Sequence, residues 1–349
     1  MKPYFETMPG FGKELKDKVI ARTQESRKQL EAVEADIAAK RAVRMEAGIP
    51  AAEINKRGTL TVWQRLEYLV DKGSWCPLHS LYNPENNKEG TTNVVDGLGK
   101  IAGRWAAIIG FDNKVLAGAW IPGQAENILR VTNIAKRLHI PLVWLVNCSG
   151  VKLPDQEMFY ADRRGGGTCF FRHAELEQMG IPILAGIYGT NPAGGGYQSI
   201  SPTILLAHKD ANMAVGGVGI VSGMSPKGGF DVAGLEELVA KTRDMRERPP
   251  GSVETHFNGT GFFTHVFDTE HQVLDGIKDY MRAIPAYDPK FFRVAKPAEP
   301  RLSASDLYHL LPFNQRETYS FDDILARLVD GSEHLEFRPE YGPEIYTGL

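Results

Sequence analysis

The sequence predicts an α/β fold, because helical segments and buried strands alternate through its central part. Two runs, PLVWLVNC and IPILAGIYG, are almost wholly apolar, which is typical of strands covered on both faces. The segments that precede them, QAENILRVTNIAKRLHI and CFFRHAELEQMG, have helical character. With 42% hydrophobic residues, the chain has enough apolar side chains for a real core.

The elements before this region are predicted to be a helical arm followed by strands. Residues 13–58 are rich in Ala, Glu, Lys and Arg, and Gly48-Ile49-Pro50 is expected to divide this helical stretch. TVWQRLEYLVDKGSW is a second helical segment, so we interpret residues 1–75 as an arm for packing or oligomerisation. From Thr92 onward, Gly, Asp and Asn bound short strands.

The last part of the chain changes in composition. After about Ala283 the prolines of AIPAYDPKFFRVAKPAEPRL suggest a linker or an extended arm. FDDILARLVDG is predicted to be a final helix.

Length and charge exclude several classes of protein. The 349 residues suit one large α/β unit with extensions, and a net charge of -3 argues against nucleic acid as a partner. The apolar runs are too short to cross a bilayer, and the start lacks the pattern of a signal peptide. The three cysteines are far apart, so we expect no metal site and a cytoplasmic protein.

Glycines follow both buried strands and predict a ligand site. Ser149-Gly150-Val151 comes after the first strand, and NPAGGGYQSIS comes after the second. Ligands of α/β folds bind beyond the carboxyl ends of strands. If Gly195 begins a helix, its free N–H and one near Val151 would form a two-donor oxyanion hole. The alternative is that these glycines only form tight turns.

Other glycine motifs fit less well. A P-loop requires Gly-Lys-Ser/Thr, whereas Tyr197-Gln198 follows the glycines here. Neither a Rossmann fingerprint nor the G-x-S-x-G elbow of acyl-transfer enzymes fits these segments.

Two motifs resemble the biotin-dependent acyl-CoA carboxyltransferases: LVNCSGVKLPDQE and, about forty residues later, NPAGGGYQSISPTI. The segments PYFETMPGFGKEL, GIVSGMSPKGGF and FNQRETYSFDDILARLVDGSEHLEF extend the likeness across nearly the whole chain. The N-terminal arm and the loop sequences are most similar to the branch of this family that decarboxylates glutaconyl-CoA.

The resemblance implies a crotonase-like fold, in which ββα units stack as a spiral, with two such domains in each subunit. Residues 76–285 would form the acyl-CoA-binding domain. Residues 286–349 would hold a linker, a helix and the start of a second crotonase-like domain that the sequence does not complete.

The resemblance also implies how the thioester is held. The catalytic donors would be the backbone N–H groups of Val151 and Gly195, with Gly194 and Gly196 as permissive neighbours. Relatives carry Asp-Ser-Gly-Gly-Ala-Arg where this chain has NCSGVK. Backbone donors survive such changes, so the hole is retained while the acyl selectivity differs.

Further residues are candidates for substrate binding. Arg163, Arg164 and Gly166 precede a predicted helix and suit the phosphates of CoA, although a solvated surface turn is an equal alternative.

Five further side chains lie in or near these motifs. Ser222 lies in a segment expected to line the acyl pocket or a neighbouring loop. Tyr188 and Tyr197 flank the glycines and either contact the substrate carboxylate or belong to the core or the rim. His173 is interpreted as structural, as is Cys148.

The resemblance implies the carboxyltransferase subunit of a sodium-translocating decarboxylase. It would transfer the carboxyl group of glutaconyl-CoA to biotin on a partner subunit and leave crotonyl-CoA. A biotin carrier, a membrane sodium-pump subunit and further copies of the chain would be its partners. The alternatives are a carboxylase subunit of the methylcrotonyl-CoA or propionyl-CoA type, and a non-catalytic CoA-binding scaffold.

Overall fold

The computed structural model describes residues 12–81, 83, 91–160, 163–199, 201–214, 251–259, 262–283, 297–314, 316–334 and 346. The chain divides into two compact units, one formed by Met1–Lys40 with Phe292–Leu349 and the other by Arg41–Phe291. The domain boundaries at 75 and 285 stay a prediction.

Helices occupy the N-terminal part, the layers around the sheet and the C-terminal part. In chain order they are α1 (Asp17–Arg22), α2 (Gln24–Glu46), α3 (Ala51–Lys56), α4 (Val62–Leu69), α5 (Gln124–Leu138), α6 (Gln156–Tyr160), α7 (Gly166–Gln178), α8 (Gly194–Tyr197), α9 (Glu270–Ala283), α10 (Leu307–Leu310) and α11 (Phe321–Leu325).

Nine strands are present among the described residues. They are β1 (Cys76–Leu78), β2 (Val94–Ile101), β3 (Arg104–Phe111), β4 (Leu142–Val146), β5 (Ile183–Ile187), β6 (Thr190–Pro192), β7 (Ile204–His208), β8 (Asn212–Ala214) and β9 (His265–Phe267). Seven of them form one sheet in the order β1-β2-β3-β4-β5-β7-β9, antiparallel up to β3 and parallel from there on. β6 and β8 pair separately, in parallel.

The two faces of the large sheet carry separate apolar layers. On β4, Trp144 and its alternate neighbours pack in the layer that also contains residues of α5 and α7, whereas Val143 and Leu145 pack with α4 and α9. Because both faces are covered, each side chain of β4 and β5 is buried. This burial explains the uninterrupted apolar runs and confirms the predicted strands.

The predicted break in the N-terminal helix is confirmed. α2 ends at Glu46 and α3 begins at Ala51. Gly48 has a φ of +83°, and a Cβ there would lie 2.3 Å from the carbonyl oxygen of Lys114. The close approach of this backbone therefore requires glycine.

Several elements differ from the prediction. β7 and α9 were not predicted, and the helix expected over FDDILARLVDG ends at Leu325. There the Arg327 guanidinium donates to the carbonyl of Asp323 at 2.7 Å, and Gly331 takes a φ of +61°. The Arg327 side chain thus takes the carbonyl that the Arg327 backbone N–H would bond in a continuing helix, and the helix ends there.

Candidate functional site

The loops that follow β4 and β5 meet at one edge of the sheet. β4 and β5 are parallel, with Val146 opposite Ile187, so their carboxyl ends lie side by side. A Cβ on Gly195 would lie 2.1 Å from the carbonyl oxygen of Cys148 and 3.0 Å from the amide nitrogen of Gly150. Contact this close excludes any side chain at position 195 and brings the two glycine motifs together.

The first of these loops, residues 147–151, holds the Val151 amide in a defined direction. Trp120 pairs with Val151 as a short parallel bridge: its N–H donates to the Gly150 carbonyl at 2.8 Å, and its carbonyl accepts from Lys152 at 2.9 Å. Because backbone groups alternate in direction along an extended chain, the Val151 N–H points away from Trp120. It donates to no other described residue.

The second loop, α8 with Ala193 before it, is called the glycine turn here. Gly196 and Tyr197 donate their N–H groups to the Ala193 carbonyl at 2.9 and 3.2 Å. The N–H groups of Gly194 and Gly195 belong to the first turn and have no acceptor within the described part of the chain. The structure thus brings free amide donors of Val151 and Gly195 to adjoining loops, and their catalytic role stays a prediction.

Asn191, which the sequence reasoning missed, links the two loops. Its side-chain oxygen accepts from the Cys148 N–H at 2.8 Å, and its amide nitrogen donates to the Tyr188 carbonyl at 2.9 Å. The residue is fully buried. An asparagine a few residues after an apolar strand, just before the glycines, was the signal that could have identified it.

Tyr160 is a second residue that was missed. Its hydroxyl oxygen lies 2.8 Å from the position that a Cβ on Gly194 would take, and the Val151 side chain is 3.4 Å from the same point. Tyr160 ends the short helix α6, for which the sequence showed no clear pattern.

The predicted phosphate-binding segment begins α7. Gly166 is the first residue of the helix, and a Cβ there would lie 2.1 Å from the Phe159 ring. Packing against Phe159 therefore accounts for this glycine. Arg163 and Arg164 are exposed, and Arg164 pairs with Glu126 at 3.4 Å.

Tyr188 lies in the core rather than at the edge where the loops meet. Its side chain is fully buried in the layer of α4 and α9, and its ring stacks under the Arg65 guanidinium at 4.0 Å. The hydroxyl lies 2.6 Å from the position of a Cβ on Gly186, and burial raises the pKa of Tyr188. The structure thus does not bring this side chain to the glycine turn. Ser222 lies outside the described residues.

Cys148 and His173 are both buried, as their structural interpretation requires. Burial raises the pKa of the Cys148 thiol to about 12, so the thiol is neutral. Burial lowers the pKa of His173 to about 4, and its Nδ1 contacts the Ser201 hydroxyl at 2.7 Å. Neither group carries charge at neutral pH.

Among the residues that the structure describes, no three His, Cys, Asp or Glu side chains are grouped so that they would hold a metal ion. No helix within the same residues has the length and apolar character needed to cross a membrane.

Comparison with known proteins identifies close relatives. Over 350 aligned positions the chain is 51% identical to the glutaconyl-CoA decarboxylase subunit alpha of Acidaminococcus fermentans, covering 100% of this chain and 59% of that protein. It is 26% identical over 300 positions to the biotin-dependent 3-methylcrotonyl-coenzyme A carboxylase beta1 subunit of Mycobacterium tuberculosis, covering 84% of this chain and 53% of that one.

Solved structures share the fold. The beta subunit of P. aeruginosa geranyl-CoA carboxylase matches with a TM-score of 0.72 at 23% identity, over 97% of this chain and 61% of that chain. The transcarboxylase 12S structure matches with a TM-score of 0.61 at 19% identity, over 90% and 59%. The crotonase-like fold is thereby confirmed.

The chain spans only 53% to 61% of the length of these four relatives. The carboxyl transferase domain model matches residues 53–349. The chain is therefore a member of the carboxyl transferase domain family.

Proposed function

We propose that this chain binds glutaconyl-CoA and serves in transferring its distal carboxyl group to biotin on a partner, leaving crotonyl-CoA. The observation that carries the proposal is the pair of free amide donors, on Val151 and Gly195, on two loops in direct contact. The 51% identity to a glutaconyl-CoA decarboxylase subunit along the whole chain supports this substrate over that of the 26% identical carboxylase.

The amide pair suits the charge that such a reaction develops. Breaking the bond between the γ-carbon and the distal carboxyl group leaves negative charge that is delocalised through the double bond to the thioester oxygen. Donors aimed at that oxygen stabilise this charge more than the neutral carbonyl, and one such donor contributes about 3 kcal/mol. The departing carboxylate leaves its bonding electrons on the substrate, so the step begins without a base, and the resulting anion takes up one proton to become crotonyl-CoA.

The surrounding residues would hold the donors in place before the substrate arrives. The bridge to Trp120 fixes the direction of the Val151 N–H, and the buried Asn191 fixes the distance between the loops. Donors fixed in advance need no reorganisation when charge develops, and this is the main source of such stabilisation. Gly194 would allow the acyl group to approach closely. A Cβ on Gly196 would lie 2.8 Å from the carbonyl oxygen of Asn191, so packing accounts for that glycine.

The remaining contacts concern the rest of CoA. The N-terminal end of α7 offers free N–H groups, and the exposed Arg163 and Arg164 lie directly before it. Such an end attracts phosphate, so we assign it to the phosphates of CoA. Ser222 lies outside the described residues and stays a candidate for the acyl pocket or a neighbouring loop.

Biotin and the partners belong to the same proposal. Biotin, when bound, supplies the nitrogen that accepts the carboxyl group, and we assign none of the described residues to it. A biotin carrier and a membrane sodium-pump subunit would complete a system in which this chain acts in the cytoplasm. One structural relative is described as a hexamer assembly, which supports association with further copies.

A change in the ligand tests the amide pair, because no substitution removes a backbone N–H cleanly. The 349-residue chain would be titrated calorimetrically with crotonyl-CoA and with the thioether analogue that carries CH2 in place of the thioester carbonyl. We expect the thioester to bind about tenfold more tightly or better, since one hydrogen bond contributes about 1 kcal/mol or more. Equal affinity would overturn the role of the two amides.

A titration with glutaconyl-CoA tests the substrate. We expect glutaconyl-CoA to bind, and if the chain binds neither glutaconyl-CoA nor crotonyl-CoA, the proposed function is wrong for this chain.

A further inference from the structure

The hydroxyl of Tyr160 lies beside the glycine turn, and the proposed function does not use it. The Tyr160 oxygen lies 2.8 Å from the Cβ position of Gly194, the residue before the proposed donor Gly195. The Val151 side chain lies against the same point. Tyr160 is thus placed against Gly194, the neighbour of one proposed donor, and near the side chain of the other, Val151.

The ring of Tyr160 packs against another aromatic ring, whereas its hydroxyl has no hydrogen-bond partner among the described residues. The ring meets the buried Phe159 edge-on, with centroids 4.9 Å apart and an interplanar angle of 84°. Phe159 in turn packs edge-on against Trp120 at 4.5 Å. Tyr160 as a whole is half-buried, and its hydroxyl makes no hydrogen bond to another described residue.

A second tyrosine contributes to the same surroundings. Tyr197 lies in the glycine turn, with its ring edge-on to Phe170 at 5.0 Å. Burial raises the pKa of Tyr160, and the nearby ionisable groups of Tyr197 and Cys148 add to the effect. The Tyr160 phenol is therefore neutral at physiological pH and is available as a hydrogen-bond donor.

The Tyr160 hydroxyl lies close to the loops that carry the two amide donors, where the proposed function places the acyl group. The amides would take the thioester oxygen, and the next polar group along a dicarboxylic acyl chain is its distal carboxylate. A neutral hydroxyl orients a carboxylate with less ground-state stabilisation than a lysine or arginine would give. This matters for a carboxylate that must lose its charge when it leaves.

We propose that the Tyr160 hydroxyl recognises the distal carboxylate of a dicarboxylic acyl-CoA and so selects this class of substrate. The inference rests on the proposed function, because it takes the thioester to be held by Val151 and Gly195. It makes Tyr160 a specificity residue for the acyl group.

Two ligands that differ only in the distal carboxylate test this role. Tyr160→Phe removes the hydroxyl and keeps the ring on Phe159. Its affinities for glutaconyl-CoA and crotonyl-CoA would be measured by calorimetry on the 349-residue chain, beside those of the wild type. We expect glutaconyl-CoA to bind about tenfold to a hundredfold more weakly, as for the loss of a hydrogen bond to a charged group, and crotonyl-CoA within twofold.

Tyr68→Phe is the matched control. Tyr68 is exposed, and its hydroxyl contacts Asp275 at 3.0 Å, so both affinities should stay at the wild-type values. Unchanged glutaconyl-CoA binding in Tyr160→Phe, or equal weakening of both ligands, would overturn the inference and leave the proposed function standing. A wild-type chain that binds neither ligand would instead overturn the function on which the inference depends.

Discussion

The side-chain oxygen of Asn191 accepts a hydrogen bond from the backbone N–H of Cys148, at 2.8 Å and out of contact with solvent. Asn191→Ala would leave this N–H and the Tyr188 carbonyl without their partner. We expect a loss of about 2 kcal/mol or more in the free energy of unfolding, measured with urea, together with weaker acyl-CoA binding. Asn55→Ala, at an exposed asparagine, should cost much less, and equal losses would contradict the linking role of Asn191.

Alanine substitution at two glycines should distinguish the effect of a steric clash on ligand binding from the general effect of replacing glycine in a helix. Gly195→Ala places a Cβ 2.1 Å from the Cys148 carbonyl oxygen, whereas a Cβ at Gly167 meets no atom within 4 Å. The loops must part in the first variant, so we expect glutaconyl-CoA binding to fall by about a hundredfold or more. Gly167→Ala leaves the contact between the two loops intact and keeps every N–H at the start of α7, so its loss of binding should be much smaller. Circular dichroism would confirm that both variants fold, and retained binding in folded Gly195→Ala would count against the site.

The ion pair between Arg65 and Glu270 joins α4 to α9 inside the protein. Its two hydrogen bonds measure 2.7 and 2.9 Å, and both side chains are buried. Glu270→Gln leaves an uncompensated buried guanidinium, so the free energy of unfolding should fall by about 3–5 kcal/mol. Glu53→Gln removes an exposed ion pair with Lys56 and should change the free energy of unfolding by less than about 1 kcal/mol. Chemical denaturation of both variants checks the contrast, and similar losses would refute it.

His173 should make the protein less stable as the pH falls. Its pKa is about 4 in the folded chain, against 6.5 for an unperturbed histidine, because burial disfavours the charged form. Between these values the unfolded state binds the proton and the folded state does not, so stability falls with decreasing pH. The loss from pH 7.5 to pH 5 should be about 2 kcal/mol for this group.

Urea unfolding of the wild type and of His173→Gln at the two pH values measures this contribution. The variant should lose less stability than the wild type by that amount. Parallel losses in the two proteins would show that another group is responsible.

The strands that position the site were predictable from the sequence because burial on both faces restricts their composition. β4 and β5 are covered on both faces, so their sequences had to be apolar throughout, and each ends where glycine appears. The same pattern predicted that residues near Val151 and Gly195 would come together at one edge.

The parts that were missed depend on contacts distant in sequence. Asn191 looks like any polar residue after a strand until its two backbone partners are seen. Tyr188 was a candidate for substrate contact because it borders the glycines, yet its ring packs on the side of the sheet where Arg65 lies. Gly166 looked like a phosphate-binding glycine, and the ring of Phe159 supplies a packing reason for it. No local pattern encodes such tertiary neighbours.

The bridge between Trp120 and Val151 has an evolutionary consequence. The N–H it directs belongs to the main chain, so every residue type except proline supplies the same donor at position 151. Under the proposed function, substitutions in this loop would alter which acyl chain fits while the donor itself is kept. New substrates would then arise by side-chain substitution without loss of that N–H.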